Sequence, residues 1–325
     1  MRHLTPIFLF SLPRSGSTLL QRLIAMHPEV TTESETWLLL PLFYLMKNES
    51  GVTEYNGKYA RAGIGEAFKN IENGKEKYFN EVAKLASNIW ANFAIDGEKY
   101  FLEKTPRYHL IVEEIIQTFP DAKFIFLWRN PLAITSSIIS TWGNNRWNVY
   151  RYYIDLYKGL GNLASAFKKH KANSIGLNYE TLLEAPEQEL NRIMEYLGLS
   201  AEGIDPDKLA EVTLTGKMGD KKGTKKYRKI SKEPLENWKS HLGNPVRRVW
   251  SRKYLDWVGT ERLTDMGYDK EDLQNQLSSI PISLKYMVSD IVRIVYGIIF
   301  RFFDLSNMWT KIKMIREGRR IYPLF

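Results

Sequence analysis

Cysteine is absent from the 325 residues of the chain. Without cysteine the protein has no disulfide framework and no thiolate metal site, which fits a reducing compartment. The usual metal-binding patterns, such as HExxH, clustered histidine with aspartate, or EF-hand spacing, are also missing from the sequence. The sequence therefore predicts a protein without a bound metal.

The sequence has fewer acidic residues than basic residues. Lys and Arg number 46 against 37 Asp and Glu, a formal net charge of +9. Such a balance favours anionic partners, namely a nucleotide, an acidic glycan or an anionic lipid headgroup; no sequence feature indicates nucleic acid. A chain of this length, 44% hydrophobic and 26% charged, has a globular composition. We expect one large domain, 1–270, followed by an extension, 271–325.

Apolar strands alternate with amphipathic helices along most of the chain. This alternation predicts an α/β fold, a central parallel sheet with helices on both faces. The predicted strands are 7–10, 100–103, 123–128 and 174–178, and the predicted helices are 75–95, 110–119, 132–142, 150–170 and 186–197. Residues 48–74, rich in Gly, Asn and Lys, predict a long loop.

A phosphate-binding loop is predicted after the first strand. The strand runs into a Gly/Ser turn and then a helix, an order that directs backbone N–H groups at a bound phosphate. Against the Walker pattern, Gly16 and Thr18 fit, but Ser17 stands where the lysine belongs and the cation is Arg14. Nucleoside triphosphatases need that lysine, so the loop is not typical of an ATPase. An ordinary turn with a Ser-rich helix cap is the alternative.

A second anion site is indicated after the strand 123–128. Arg129 follows this strand directly, and Ser137 lies eight residues further on. Ligands of open α/β sheets bind beyond the carboxyl ends of strands, where these two side chains can clamp a second phosphate. Alternatively, Arg129 only ends the strand and Ser137 is an ordinary helix serine.

Residues 13–19, Pro-Arg-Ser-Gly-Ser-Thr-Leu, resemble the 5′-phosphosulfate loop of sulfotransferases that use 3′-phosphoadenosine-5′-phosphosulfate (PAPS), in particular the tyrosylprotein and carbohydrate branch. His27-Pro28 and Ser34-Glu35-Thr36 are similar to that branch too, and the resemblance extends over roughly the first 260 residues. It implies the sulfotransferase fold with a P-loop-like 5′-phosphosulfate loop, PAPS as donor and adenosine 3′,5′-bisphosphate (PAP) as product.

The resemblance also implies which residues bind the nucleotide. They are Arg14, Ser15, Gly16, Ser17 and Thr18 at the 5′ end, Arg129 and Ser137 at the 3′-phosphate, Tyr179 near the adenine, and Lys222 and Lys226. The last two belong to the segment 217–232, which has a net charge of +7 and resembles a family segment that folds over the nucleotide. The segment can instead be a solvated face or an acidic-acceptor site, and Tyr179 can be a packed core residue.

Three residues are the candidates for catalysis by the same resemblance. Glu35 corresponds to the catalytic base, Lys104 to the donor at the bridging oxygen, and Arg14 shares the sulfonate. His109 is the second candidate for the base, and Glu33 is easily mistaken for Glu35. The structural alternatives are that Glu35 caps a helix and that Lys104 is a surface residue.

The acceptor is less clearly indicated. Trp37 stands where tyrosylprotein sulfotransferases have an arginine, which makes peptide tyrosine doubtful. A carbohydrate, a glycolipid or a small hydroxyl compound is expected instead, since tryptophan stacks on rings. Two other functions stay open: an atypical nucleotide-dependent kinase, and a membrane-associated nucleotide- or glycan-binding protein without catalysis.

An amphipathic helix is predicted near the carboxyl terminus. Its apolar face consists of Val288, Ile291, Val292, Val295, Ile298, Ile299, Phe302 and Phe303, and five basic residues follow between 311 and 320. This combination suits an anionic membrane surface, but packing on the protein's own core or against a partner in a homodimer is the interpretation that we favour. We expect a cytoplasmic protein, with residues 288–320 as the candidate segment for a peripheral contact on the inner membrane surface.

Overall fold

The computed structural model describes residues 4–47, 57–95, 97–212, 214, 229–303, 305, 308, 309, 312 and 316. Within them five strands form one parallel sheet with the order β2-β3-β1-β4-β5. The strands are β1 (Thr5–Ser11), β2 (Val30–Thr32), β3 (Tyr100–Glu103), β4 (Lys123–Trp128) and β5 (Ser174–Asn178). The predicted parallel sheet is confirmed, and the short edge strand β2 adds to it.

Helices connect and cover these strands. They are α1 (Ser17–Ile24), α2 (Leu39–Tyr44), α3 (Gly57–Lys69), α4 (Gly74–Trp90), α5 (Val112–Thr118), α6 (Pro131–Gly143), α7 (Leu160–Lys169), α8 (Tyr179–Glu184), α9 (Pro186–Leu197), α10 (Glu233–Asn237), α11 (Pro245–Asp265), α12 (Lys270–Ser279) and α13 (Met287–Phe302). In the part of the chain described here, no helix is long and apolar enough to cross a membrane.

The sheet separates two hydrophobic clusters. Phe8 and Phe10 of β1 belong to the cluster that includes residues of α2, α4, α5, α6, α7 and α11. Ile7 and Leu9 belong to the other cluster, with α1, α8 and α9. Because successive side chains of a strand point to opposite faces, this alternation means that helices cover both faces, as predicted.

The long loop predicted over residues 48–74 is wrong where the structure describes it. Residues Gly57–Lys69 form α3, and residues 48–56 lie outside the described part. The Phe68 ring meets Tyr78 of α4 edge-on, with 5.4 Å between centroids. Tertiary packing of this kind overrides the weak helix propensity of a glycine-rich segment.

The helix predicted over residues 150–170 is helical but not uniform. A 3₁₀ turn (Val149–Tyr152) is followed by a π-helix (Ile154–Gly159) and then by α7. Similarly, a 3₁₀ turn (Pro106–Leu110) precedes α5. Both turns lie beside the carboxyl-terminal edge of the sheet, where irregular helical turns frequently accompany functional sites.

Candidate active site

The predicted phosphate loop joins β1 to the amino terminus of α1. Gly16 caps this helix with φ of 90°, and no side chain caps it. A Cβ atom on Gly16 would lie 2.2 Å from a ring carbon of Tyr179. Only glycine therefore fits the position, because the backbone is left-handed and the tyrosine ring occupies the space.

Arg129 lies directly beyond β4 and beneath this loop. Its Nη1 donates to the carbonyl of Arg14 at 2.7 Å, and its guanidinium carbon lies 4.5 Å from the centre of the Tyr179 ring. Arg129 Nε and Ser15 Oγ are buried and have no hydrogen-bond partner among the residues that the structure describes. Buried donors without an acceptor are rare, and two at one sheet edge suit an anionic ligand.

Arg14 connects the loop to α6. Its Nε donates to Ser137 Oγ at 3.1 Å and its Nη2 to Thr141 Oγ1 at 3.4 Å. The guanidinium also lies 5.4 Å from the centre of the Trp142 ring. The structure thus brings together residues that are more than a hundred positions apart in the sequence.

Lys104 and Glu35 form an ion pair. Lys104 Nζ donates to Glu35 Oε1 at 3.0 Å, and the side chains are 1% and 13% exposed. The indole Nε1 of Trp37 donates to Glu35 Oε2 at 3.2 Å. The predicted base and the predicted bridging cation are therefore in direct contact, and both carboxylate oxygens of Glu35 are held.

The buried carboxyl group of Glu103 lies next to this pair and holds the neighbouring threonines in place. It accepts hydrogen bonds from Thr36 Oγ1 at 2.8 Å and Thr105 Oγ1 at 2.9 Å. Burial raises the pKa of Glu103 to about 7, although the two threonines and Lys104 act in the opposite direction. Glu103 thus ties the segment that carries Glu35 to the end of β3.

A cleft of about 370 Å³ opens between these elements. The sequence-predicted residues on its wall are Arg14, Gly16, Ser17, Thr18, Glu35, Trp37 and Arg129. Three other predicted residues lie behind the wall, each against a lining residue: Ser137 on Arg14, Lys104 on Glu35, and Tyr179 on Arg129. The place of Tyr179 near the adenine stays a prediction.

Sequence reasoning missed the far side of the cleft, which is lined by Arg107, Trp142, Tyr152 and Asp155. Trp142 and Tyr152 stack with 4.6 Å between ring centroids. Arg107 donates from Nε and Nη2 to the two oxygens of Asp155, both at 3.2 Å. Asp155 has no distinguishing sequence signal, because Arg151 and Lys158 are also charged residues of the same predicted helix.

The second candidate for the base, His109, lies behind Asp155. It is fully buried, and its Nε2 is 2.8 Å from Asp155 Oδ1. Burial raises the pKa of Asp155, but the hydrogen bond with His109 and the charge of Arg107 together hold it below its ordinary range. Glu33 accepts from the backbone N–H of Ser34. Glu35 lines the cleft, whereas neither His109 nor Glu33 is among the described residues that line it.

Two predicted residues, Lys222 and Lys226, lie outside the described residues. Lys229 and Lys232 of the same basic segment are described and exposed. Among the residues that the structure describes, no group of three or more His, Cys, Asp or Glu could hold a metal ion.

The sequence matches known proteins over this region. The family model described as "Sulfotransferase family" matches residues 6–203. Nodulation protein NoeE of Sinorhizobium fredii is 26% identical over 298 residues, 81% of this chain and 66% of the relative. Protein-tyrosine sulfotransferase 2 of Gallus gallus is 24% identical over 269 residues, again 81% and 66%. The chain thus spans just under two thirds of the length of these relatives.

The fold is also similar to a solved structure, the sulfotransferase domain from the curacin biosynthetic pathway. The two align with a TM-score of 0.51 and 19% identity over 83% of this chain and 99% of that domain. The family match covers more than half of the chain, including β1 to β5 and every predicted site residue up to Tyr179. On this match and this fold, the chain belongs to the sulfotransferase family.

Proposed function

We propose that the protein transfers a sulfonate group from PAPS to a hydroxyl or amine of an acceptor and releases PAP. One observation carries this proposal: Glu35, on the cleft wall, is 3.0 Å from the buried Lys104, and the cleft is also lined by the glycine loop. A proton acceptor and a cation at one end of an anion-binding cleft are what sulfonate transfer requires.

The residues present fit the donor. The amino terminus of α1 and the buried Ser15 Oγ suit the 5′-phosphosulfate, with Arg14, Ser17 and Thr18 around it. Arg129 and Ser137 suit the 3′-phosphate, and the Arg129 Nε atom supplies a buried donor that has no acceptor in the described part of the chain. We assign Lys222 and Lys226 to the same nucleotide on the family resemblance.

Each catalytic residue has a separate task. PAPS supplies a sulfonate, whose bond to the 5′-phosphate oxygen breaks as a bond to the acceptor oxygen or nitrogen forms. Glu35 accepts the proton that the acceptor loses. Lys104 balances the negative charge left on the phosphate oxygen, and its 1% exposure strengthens this interaction by excluding water. Arg14 balances charge on the sulfonate.

The cleft wall favours a ring-bearing acceptor. Trp37, Trp142 and Tyr152 supply aromatic faces, and the paired Arg107 and Asp155 supply polar atoms beside them. Aromatic faces with polar neighbours suit a sugar ring. We therefore propose a carbohydrate, a glycolipid or a small hydroxyl compound as acceptor. The lack of cysteine supports a reducing, cytoplasmic setting.

Calorimetric titration with PAP, beside ATP with Mg²⁺, tests the donor assignment. We expect PAP to bind and Mg²⁺–ATP to bind weakly or not at all, because Ser17 replaces the P-loop lysine. An acceptor screen with ³⁵S-labelled PAPS follows. Preference for Mg²⁺–ATP would indicate a kinase instead, and binding of neither would refute the nucleotide site.

A further inference from the structure

Helix α13 is attached to the rest of the protein by one side, which carries the buried Asp290 and Gly297 and the half-buried Ile294 and Phe300. Asp290 is fully buried and accepts hydrogen bonds from Arg247 Nε at 2.7 Å, from the backbone N–H of Trp147 at 2.9 Å and from Asn244 Nδ2 at 3.1 Å. About two turns of helix further on, Gly297 packs so closely on Tyr150 that a Cβ atom would lie 2.6 Å from its ring. The side of the helix that carries these residues is therefore the attached side.

The apolar side of α13 is turned to solvent. Val288 is 71% exposed, Ile298 is 65% exposed and Phe302 is 82% exposed. The other exposed apolar residues of this segment are Ile282, Leu284, Ile291, Val292, Val295, Ile299, Phe303, Met308 and Trp309. We call these twelve residues the apolar face. An apolar surface of this extent marks an interaction site, because a helix that only packs on its own protein buries its apolar side.

Charge identifies the kind of partner. Residues 285–320 contain eight Lys and Arg against three Asp and Glu, and one of the three acids, Asp290, is buried and paired with Arg247. Two copies of so basic a segment repel each other, whereas an anionic surface attracts it. Trp309 adds an aromatic ring of the kind that concentrates at the headgroup level of a bilayer, and Phe302 and Phe303 are typical of the apolar side of an interfacial helix.

We propose that the apolar face docks on an anionic lipid bilayer, with α13 lying in the plane of the interface. Burial of the exposed aliphatic and aromatic side chains supplies affinity, and the basic residues select anionic headgroups. The polar attachment through Asp290 lets the helix present its apolar side without leaving the protein.

The docking surface adjoins the candidate active site. Tyr150 meets Phe300 of α13 with 5.7 Å between ring centroids, and the Arg151 guanidinium lies 5.7 Å from the centre of the same Phe300 ring. The next residue, Tyr152, lines the cleft. The helix that carries the apolar face therefore contacts the turn of chain that continues into the acceptor side of the cleft.

Vesicle sedimentation of the full chain tests the proposal. The probes are vesicles of phosphatidylcholine alone and of phosphatidylcholine with phosphatidylglycerol. We expect the wild type to sediment with the anionic vesicles only, and less so as salt is added. Val292→Glu together with Ile298→Glu, at residues 62% and 65% exposed, should lower the partition coefficient at least about tenfold.

Matched controls distinguish docking through the apolar face from a loss of folding and from nonspecific adsorption of exposed apolar residues. Ile95→Glu changes an apolar residue that is 79% exposed outside the apolar face and should leave sedimentation unchanged. Lys311→Gln together with Lys313→Gln should weaken binding to anionic vesicles only. Thermal melts should be the same for all variants, because every described position changed is exposed.

Three results would overturn the proposal: no sedimentation of the wild type with anionic vesicles, equal sedimentation of the Val292→Glu/Ile298→Glu variant, or equal binding to neutral vesicles. A wild-type dimer that this variant makes monomeric, without vesicle binding by either, would assign the apolar face to a second copy and equally overturn it. None of these readouts depends on sulfonate transfer, so the docking proposal and the proposed function can fail separately.

Discussion

Lys104 Nζ donates to Glu35 Oε1 across 3.0 Å, and only 1% of the lysine side chain is exposed. A buried charge is tolerated only when it is paired, so Glu35 holds the ammonium in place before a nucleotide arrives. The same contact keeps the proposed base at the cleft wall. The pair therefore links the two halves of the proposed chemistry, proton removal and charge balance on the leaving group.

Glu35→Gln should stop turnover while preserving nucleotide affinity. The amide cannot accept a proton, so we expect turnover of ³⁵S-labelled PAPS to fall about 10²- to 10⁴-fold. PAP affinity, measured by calorimetry, should change little, because Arg14 and Arg129 are intact. Glu33→Gln is the matched control and should turn over normally, since Glu33 bonds the backbone of Ser34. Normal turnover in Glu35→Gln would remove Glu35 as the base.

Arg129→Ala should weaken PAP binding far more than binding of adenosine 5′-phosphate. Loss of charge-assisted hydrogen bonds to a phosphate costs about 1.5–3 kcal/mol, or roughly 10- to 150-fold in affinity. The monophosphate lacks the 3′-phosphate and controls for disturbance of the loop through the bond to the Arg14 carbonyl. Arg252→Ala, at an exposed arginine, should affect neither ligand. Equal losses for both ligands would disprove the 3′-phosphate assignment.

Gly16→Ala should destabilise the phosphate loop more than the left-handed backbone alone explains. A left-handed conformation costs a non-glycine residue about 1–2 kcal/mol, and at Gly16 the new Cβ also meets the Tyr179 ring at 2.2 Å. Gly97→Ala is the matched control: φ is +85°, and no described residue apart from the chain neighbours lies within 4 Å of the added Cβ. Thermal melts and PAP titrations of both variants measure the difference. Equal melting shifts with intact PAP binding would contradict the close packing.

The sequence predicted those parts of the site that follow one another along the chain. The strand, the glycine loop and the next helix are consecutive, so Arg14, Gly16 and Thr18 could be assigned from local order. Arg129 directly follows a clearly apolar strand, so its position on the cleft wall could be predicted for the same reason, while its role at the 3′-phosphate stays a prediction. Observed strands β3, β4 and β5 have the predicted bounds.

The missed parts depend on contacts between distant segments. Arg107 and Asp155 are 48 residues apart in the sequence, and no local pattern pairs them. Periodicity predicted the two sides of α13, but not which side faces solvent. That orientation depends on the pairing of Asp290 with Arg247, 43 residues earlier, which outweighs the usual preference for burying the apolar side.

Glu103 should make the stability of the protein fall as pH rises. Burial raises its pKa in the folded state to about 7, from an ordinary value of 4.5. Because folding favours the protonated form, this stabilisation is complete below about pH 4.5 and is lost as pH rises through about 7. A shift of this size corresponds to about 3 kcal/mol.

Urea unfolding of the wild type and of Glu103→Gln, from about pH 4.5 to pH 8, measures this loss. The glutamine keeps an acceptor oxygen for one of Thr36 and Thr105 and can donate from its NH₂ group to the hydroxyl oxygen of the other. It cannot ionise, so the wild type should lose stability relative to the variant as pH rises. Glu113→Gln is a control of opposite sign. Burial raises the pKa of Glu113, but its bonds with Lys169 and His170 lower it overall, so there the wild type should keep its advantage over the variant from pH 8 down to about 4.5 and lose it only when the series is extended below pH 4.5. Parallel curves for the wild type and Glu103→Gln would mean that Glu103 ionises like an exposed carboxyl and is charged at neutral pH beside Glu35 and Lys104.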